Sequence, residues 1–284
     1  MNMDLAIKIR KIIIYPVLLL TLLFCPSAKS TDTAELISTD TFVMENAMTM
    51  GQGITTDGEY YYTSGSLAAV NFTVLAKYTV DGMEFVDRNT SPLPAVCKNR
   101  GNNHIGGISY YNGKLYAPVE GGDDVFACIV VYDAETLEPT GEVYDLPNEY
   151  YPDGVPWCAV DGNTGYLYAS MWSNTKTIYV YDVNNGMAPV KEIALSDTIK
   201  RIQGGEFLDG TLYLSKDSHD KGELKDILSV NTETGEVKVA AERNVGSENY
   251  EAEGMTFTKD ENGVVLHVLD YNRTIGVFVN HYQF

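Results

Sequence analysis

From about residue 50 to the C-terminus, apolar residues come in short β-prone stretches separated by polar turns, and helical periodicity is almost absent. Five segments share one grammar: a small-residue start, a short strand, a polar turn and an aromatic-rich strand. They begin at residues 52, 106, 158, 204 and 253, at spacings of 54, 52, 46 and 49. Each segment has a turn suited to a tight hairpin, Asp57-Gly58, Asn112-Gly113, Asn163-Thr-Gly165, Asp209-Gly210 or Asn262-Gly263, where Gly or Asn takes the positive φ required.

A third strand with alternating apolar positions follows each hairpin, at residues 75–80, 129–133, 178–182, 227–231 and 275–279. In the first four units a further turn leads to a fourth strand. Four antiparallel strands recurring every fifty residues predict an all-β chain folded as a five-bladed β-propeller. The fifth unit stops after its third strand, while residues 36–43 read as a strand without a partner. Pairing the two would close the ring and remove two open sheet edges. A β-sandwich, or six blades with one degenerate unit, is the alternative arrangement.

Residues 1–30 follow a different pattern. Lys8, Arg10 and Lys11 precede an apolar run at 12–24, and small residues flank Lys29. Thirteen residues reach only about 20 Å as helix, against roughly 30 Å of hydrocarbon, so the segment reads as a cleaved export signal. Residues 31–284 would then be a single propeller domain in a secreted, periplasmic or otherwise extracellular setting, without stable membrane insertion and, as a closed ring, monomeric.

The whole chain has 20 basic and 39 acidic side chains, a net charge of −19; residues 1–30 hold four of the bases and one acid, leaving 16 against 38, or −22. Such a surface repels phosphate backbones and anionic lipid, which argues against nucleic acid as a partner. Beyond the signal, Cys97, Cys128 and Cys158 allow one intramolecular disulfide at most, or three buried thiols.

Three stretches, residues 107–116 with 129–133, residues 159–168 and residues 265–270, resemble the blade rhythm of olfactomedin-like domains. That resemblance implies an extracellular five-bladed propeller, an interaction module, and a calcium site in the central channel. Trp157 and Thr256 stand about where that family places acidic calcium ligands, so its metal site is not carried over. Gln52-Gly53 and Glu253-Gly254 are similar to propeller-type glutaminyl cyclases, whose other motifs are absent.

Propeller geometry gathers two sets of loops on one face. Gln52, His104, Trp157, Gln203, Glu251 and Glu253 come from the starts of inner strands, and Glu120, Trp172, Lys216, Asp217 and Asp270 from the ends of second strands. Mixed charge with both tryptophans suits a polar ligand site. His104 has the chemistry of a general base, Glu251 and Glu253 form a carboxylate pair, and the tryptophans could stack on a ring or plug the mouth. The acid-rich loops 121–124 and 216–221 offer oxygen ligands for a hard cation such as Ca2+, although neither has calcium-loop spacing.

No Gly-x-Ser-x-Gly elbow, His-Glu-x-x-His pair or phosphate-cradling loop occurs. The leading expectation is a binding or interaction module for a small polar ligand or an extracellular protein. The alternative is a hydrolase, lyase or cyclase that uses His104 with Glu251 or Glu253, with or without a divalent cation.

Overall fold

The computed structural model describes residues 33–43, 49–122, 125–218, 223–245, 249–272 and 274–284. The segment expected to be an export signal and, in the acid-rich loops, Asp123, Asp124, His219, Asp220 and Lys221 lie outside the described residues.

Five antiparallel sheets follow one another along the chain as the blades of a five-bladed propeller. Blade 1 holds β2 (Gly53–Thr56), β3 (Tyr60–Leu67), β4 (Phe72–Thr79) and β5 (Phe85–Asn89). Blade 2 holds β6 (Asn102–Ile105), β7 (Ser109–Tyr111), β8 (Lys114–Gly121), β9 (Cys128–Asp133) and β10 (Pro139–Asp145). Blade 3 runs through β11 (Cys158–Asp161), β12 (Tyr166–Ala169), β13 (Thr175–Asp182) and β14 (Ala188–Ile199). Blade 4 comprises β15 (Ile202–Leu208), β16 (Thr211–Lys216), β17 (Ile227–Val230) and β18 (Val237–Ala241). Blade 5 takes β19 (Tyr250–Asp260), β20 (Gly263–Asn272) and β21 (Gly276–Gln283), and its outer strand is β1 (Glu35–Val43). The expected closure is present: β1 and β21 pair from Glu35 with Gln283 to Val43 with Gly276.

Strand alternation explains the core. Successive side chains of one strand face opposite neighbours, so Val130 and Tyr132 pack toward blade 1 while Ile129 and Val131 pack toward blade 3. Among the described residues the buried apolar side chains fall into five clusters, one between each pair of adjacent blades. Burying each large side chain contributes about 1.5–3 kcal/mol. Acidic and amide residues at strand ends hold the turns: Asp133 Oδ1 accepts from the Glu135 and Thr136 N–H groups, and Asn231 Oδ1 from those of Glu233 and Thr234.

Two departures from the repeat stand out. A short helix, α1 (Ala95–Arg100), bridges blades 1 and 2, and the inner strand of blade 2 is split into β6 and β7, both paired with β8. The split falls at Gly106-Gly107, where blade 3 comes close. The Gly107 N–H donates to Pro156 O at 2.7 Å, the Cys158 N–H donates to Gly107 O at 3.1 Å, and a Cβ on Gly106 would lie 2.2 Å from Pro156 O.

Glycine also sets the width of the axis. Gly53, Gly107, Gly204 and Gly254 hold one repeat position in four of the blades, with Cys158 in the other. A Cβ on Gly254 would stand 2.7 Å from Gly53 Cα, and one on Gly204 2.8 Å from Gly254 Cα. The inner strands therefore meet in a collar too tight for side chains, and polar groups lie on either side of it.

Candidate functional site

On the loop-bearing side, Glu120 stands one residue before the end of β8 and is approached from two directions. Its Oε2 accepts the Val155 N–H at 2.6 Å, and its Oε1 lies 3.2 Å from His104 Nδ1 on the paired strand β6. The carboxylate that meets His104 is thus Glu120. Glu251 and Glu253 stand on β19, in blade 5.

Glu120 lines a cavity of about 630 Å3 between blades 2 and 3, together with Asn148, Asp153, Trp172 and Ser173. Val125, Tyr151 and Pro152 supply apolar wall. Asp153 Oδ2 accepts from the Ser173 hydroxyl. Trp172 is partly buried, with the Arg201 guanidinium 4.5 Å from its ring centroid. Glu120 and Trp172, both placed on this face from the sequence, meet in the one cavity. Asn148, Asp153 and Ser173 were not singled out, because they sit in irregular segments with no repeat position to mark them.

Trp157 takes the other role open to it. It is fully buried, its Nε1 donates to Ser170 Oγ at 3.0 Å, and its ring occupies space that a Cβ on Gly205 would invade at 2.5 Å. It plugs the interface of blades 3 and 4 and has no exposed face for a ligand.

Blades 4 and 5 carry their polar residues as buried ion pairs. Asp217 is fully buried and accepts from Arg201 at 2.7 and 2.9 Å, from Lys225 and from the Ala252 N–H at 3.1 Å. Despite burial, these donors hold its carboxyl below the usual range. Lys225 has no exposed surface. Asp270 pairs with buried Arg243 and accepts from Asn280 Nδ2 at 2.6 Å. Asp217 has no surface open to a ligand, whereas Asp270, 1% exposed, lies at the edge of a cavity with Asn244, Tyr250 and Asn280. Lys216 lies 3.3 Å from Glu223, and Glu251 Oε1 lies 3.9 Å from Arg201.

Glu253 is 2% exposed, and burial, then the Glu251 and Asp217 charges, push its carboxyl well above the usual range. Gln52 and Gln203 are partly exposed near the collar; Gln52 O accepts the Gly254 N–H at 2.9 Å. Among the described residues no group of three or more His, Cys, Asp or Glu side chains forms a metal site, and no helix is long and apolar enough to cross a membrane.

Beyond the collar, Thr55, Ser109, Val160, Glu206 and Thr256 share the next but one repeat position. Glu206 Oε2 accepts from Thr55 Oγ1 at 3.0 Å and Thr256 Oγ1 at 3.4 Å, linking blade 4 to blades 1 and 5. Thr55 in turn accepts the Tyr110 N–H, and Ser109 the Val160 N–H. Burial raises the Glu206 carboxyl to about 7, against opposing hydrogen bonds. The sequence carried a signal for this group: it is the one ionisable residue at that repeat position.

The three thiols are buried, with Cys97 and Cys128 Sγ 3.8 Å apart.

No family model matches the chain, and no curated protein matches it. Among solved structures it is similar to the Malassezia sympodialis allergen Mala s 1, at a TM-score of 0.52 and 10% identity over 81% of this chain and 77% of that one. It is also similar to a mutant of the GH43 protein BlXynB from Bacillus licheniformis, at 0.52 and 14% identity over 85% of this chain and 56% of that one. A DUF4623 family protein from Bacteroides eggerthii matches at 0.49 and 13% identity, over 89% and 77%. At such identities the likeness is one of fold.

Proposed function

We propose that the protein is an exported propeller that binds a small polar ligand, or a polar loop of an extracellular partner, in the cavity between blades 2 and 3. The observation that carries this reading is the cavity itself: about 630 Å3, lined by a carboxylate, an indole and several hydrogen-bonding groups. Binding sites favour that combination of volume, apolar wall and few fixed polar groups. The basic, apolar, small-residue order of residues 1–30 supports export, and the olfactomedin-like rhythm supports an interaction module.

A second reading, an enzyme, draws on the raised carboxyl of Glu253, the juxtaposition of His104 with Glu120, and a fold similar to that of a GH43 protein. Glu253 has almost no exposed surface, which favours binding over catalysis. A thermal-shift screen of sugars, amines and divalent cations tests the binding reading, since a ligand at 100 times its Kd adds about 2.7 kcal/mol. Shifts that vanish in Trp172→Ala support the cavity; a screen without any shift overturns it. Turnover lost in Glu253→Gln would instead support the enzyme.

A further inference from the structure

Charge inside the cavity narrows the ligand. Among the described residues of its lining, the carboxylates are those of Glu120 and Asp153, and none is a lysine or arginine. The Arg201 guanidinium lies against the Trp172 ring and is countered by Asp217 at 2.7 and 2.9 Å. An anion entering here would meet two like charges, with no lysine or arginine among the described lining residues to offset them.

Glu120 is also built to stay in place. Gly154 has φ +86°, and a Cβ there would stand 2.1 Å from Glu120 Oε2, so the close approach of carboxylate to the blade 2–3 connection depends on glycine. The Val155 N–H donates to Oε2, and His104 Nδ1 stands 3.2 Å from Oε1 outside hydrogen-bond geometry, so each oxygen retains lone-pair capacity. Trp172 adds a π surface that already carries one cation in this fold. Among the described residues no group of three or more His, Cys, Asp or Glu side chains gathers here, as a hard metal ion with its six or more oxygen ligands would favour.

Resting on the binding reading above, we propose that this cavity takes a small organic cation, a ligand with a primary ammonium group, seated on Glu120 with its carbon skeleton along Trp172 and its polar atoms on Asn148 and Ser173. Asp153 strengthens the field at the mouth. The class includes amino sugars, polyamines and lysine side chains of a partner protein, all with one ammonium in common.

Isothermal titration of the propeller without its export segment, using pairs matched but for the ammonium, tests this. Glucosamine is compared with glucose, and Nα-acetyl-lysine amide with Nα-acetyl-norleucine amide. The expected result is tighter binding of each ammonium partner by about tenfold or more, weakened by added salt. Glu120→Gln keeps an acceptor for Val155 and should remove that preference; Asp153→Asn, at an exposed site, should reduce it by about threefold. Equal binding of both partners, with glucose retained in Glu120→Gln, would overturn the cation while leaving the binding module standing. Binding of calcium chloride alone would also overturn it. No binding of any probe would remove both.

Discussion

Glu120, Trp172 and Asp217 stand at one place in their repeats, each four residues after Tyr116, Tyr168 or Tyr213, yet the first two open onto a cavity while the third is sealed beneath Lys225 and Arg201. The difference lies in what the connecting segments deliver. Between blades 2 and 3 they bring Asn148, Asp153 and Ser173, which are small or flank an opening. Blades 4 and 5 receive Lys225 and Arg243, two cations with no exposed side-chain surface, each matched to an aspartate. A polar residue facing a propeller mouth is therefore a site or a staple according to whether a buried counter-charge reaches it.

The largest effect should come from breaking the staple. Asp217→Ala leaves Lys225 buried without its carboxylate and should cost about 3–5 kcal/mol. Glu120→Ala, which strands one backbone N–H, should cost about 1–2 kcal/mol. Urea denaturation of both variants measures the contrast, and equal losses would erase the distinction between the two regions.

Stapling the open side sharpens the same comparison. Cys97 and Cys128 bracket the segment that carries both His104 and Glu120, and their Sγ atoms are 3.8 Å apart. Oxidation with glutathione disulfide during refolding should bridge this pair, adding about 3–4 kcal/mol by loop closure. In protein lacking residues 1–30, thiols titrated in denaturant should fall from three to one, Cys158 remaining free; a count that stays at three rejects the bridge.

Glu206 offers a subtler contrast, since it ties blades 1, 4 and 5 without a counter-ion. Its folded carboxyl titrates at about 7 and an ordinary one at 4.5, so the folded protein holds a proton that the unfolded chain releases. Its stabilising contribution is complete below 4.5 and is lost as pH rises to about 7. Glu206→Gln should flatten that limb of a Tm-against-pH curve by a few degrees, whereas an unchanged slope would place the titration elsewhere.

The smallest expected change is at the seam of the ring. His281 Nε2 lies 2.9 Å from Asp40 Oδ2 on β1, and buried His267 contacts His281. Burial, then the His281 charge, lower His267 to about 3 from 6.5, so its stabilising contribution is lost as pH falls through that interval. Asp40→Asn removes a half-exposed pair and should cost under about 1 kcal/mol. Hydrogen-exchange protection at β1, corrected for the intrinsic rate, should fall on acidification before protection at β16 does; simultaneous change would show the seam to be no weaker than the core.

Much of the fold was legible because its determinants are local. Hairpin turns at Asn112-Gly113 or Asp209-Gly210 and apolar alternation in residues 129–133 act within a few positions. The split of β6 from β7 was not, since it reflects Pro156 of another blade pressing on Gly106. Site residues were legible as a face, but not in their state. Trp157 and Trp172 look alike along the chain; Gly205, far away in sequence, makes room to bury one of them. Lys225 and Arg243 escaped notice because they belong to irregular connections and take their meaning from Asp217 and Asp270.

The pairing of β1 with β21 imposes an order of events on biosynthesis. The first strand of the propeller to leave the ribosome must wait for the last, so Leu36 and Ile37, exposed even in the finished ring, have no partner strand until the whole chain has been made. During that interval β1 is an open edge available to other chains. A ring sealed by its first and last strands is thus secure once closed and vulnerable while it is being made, so closure is a single late step.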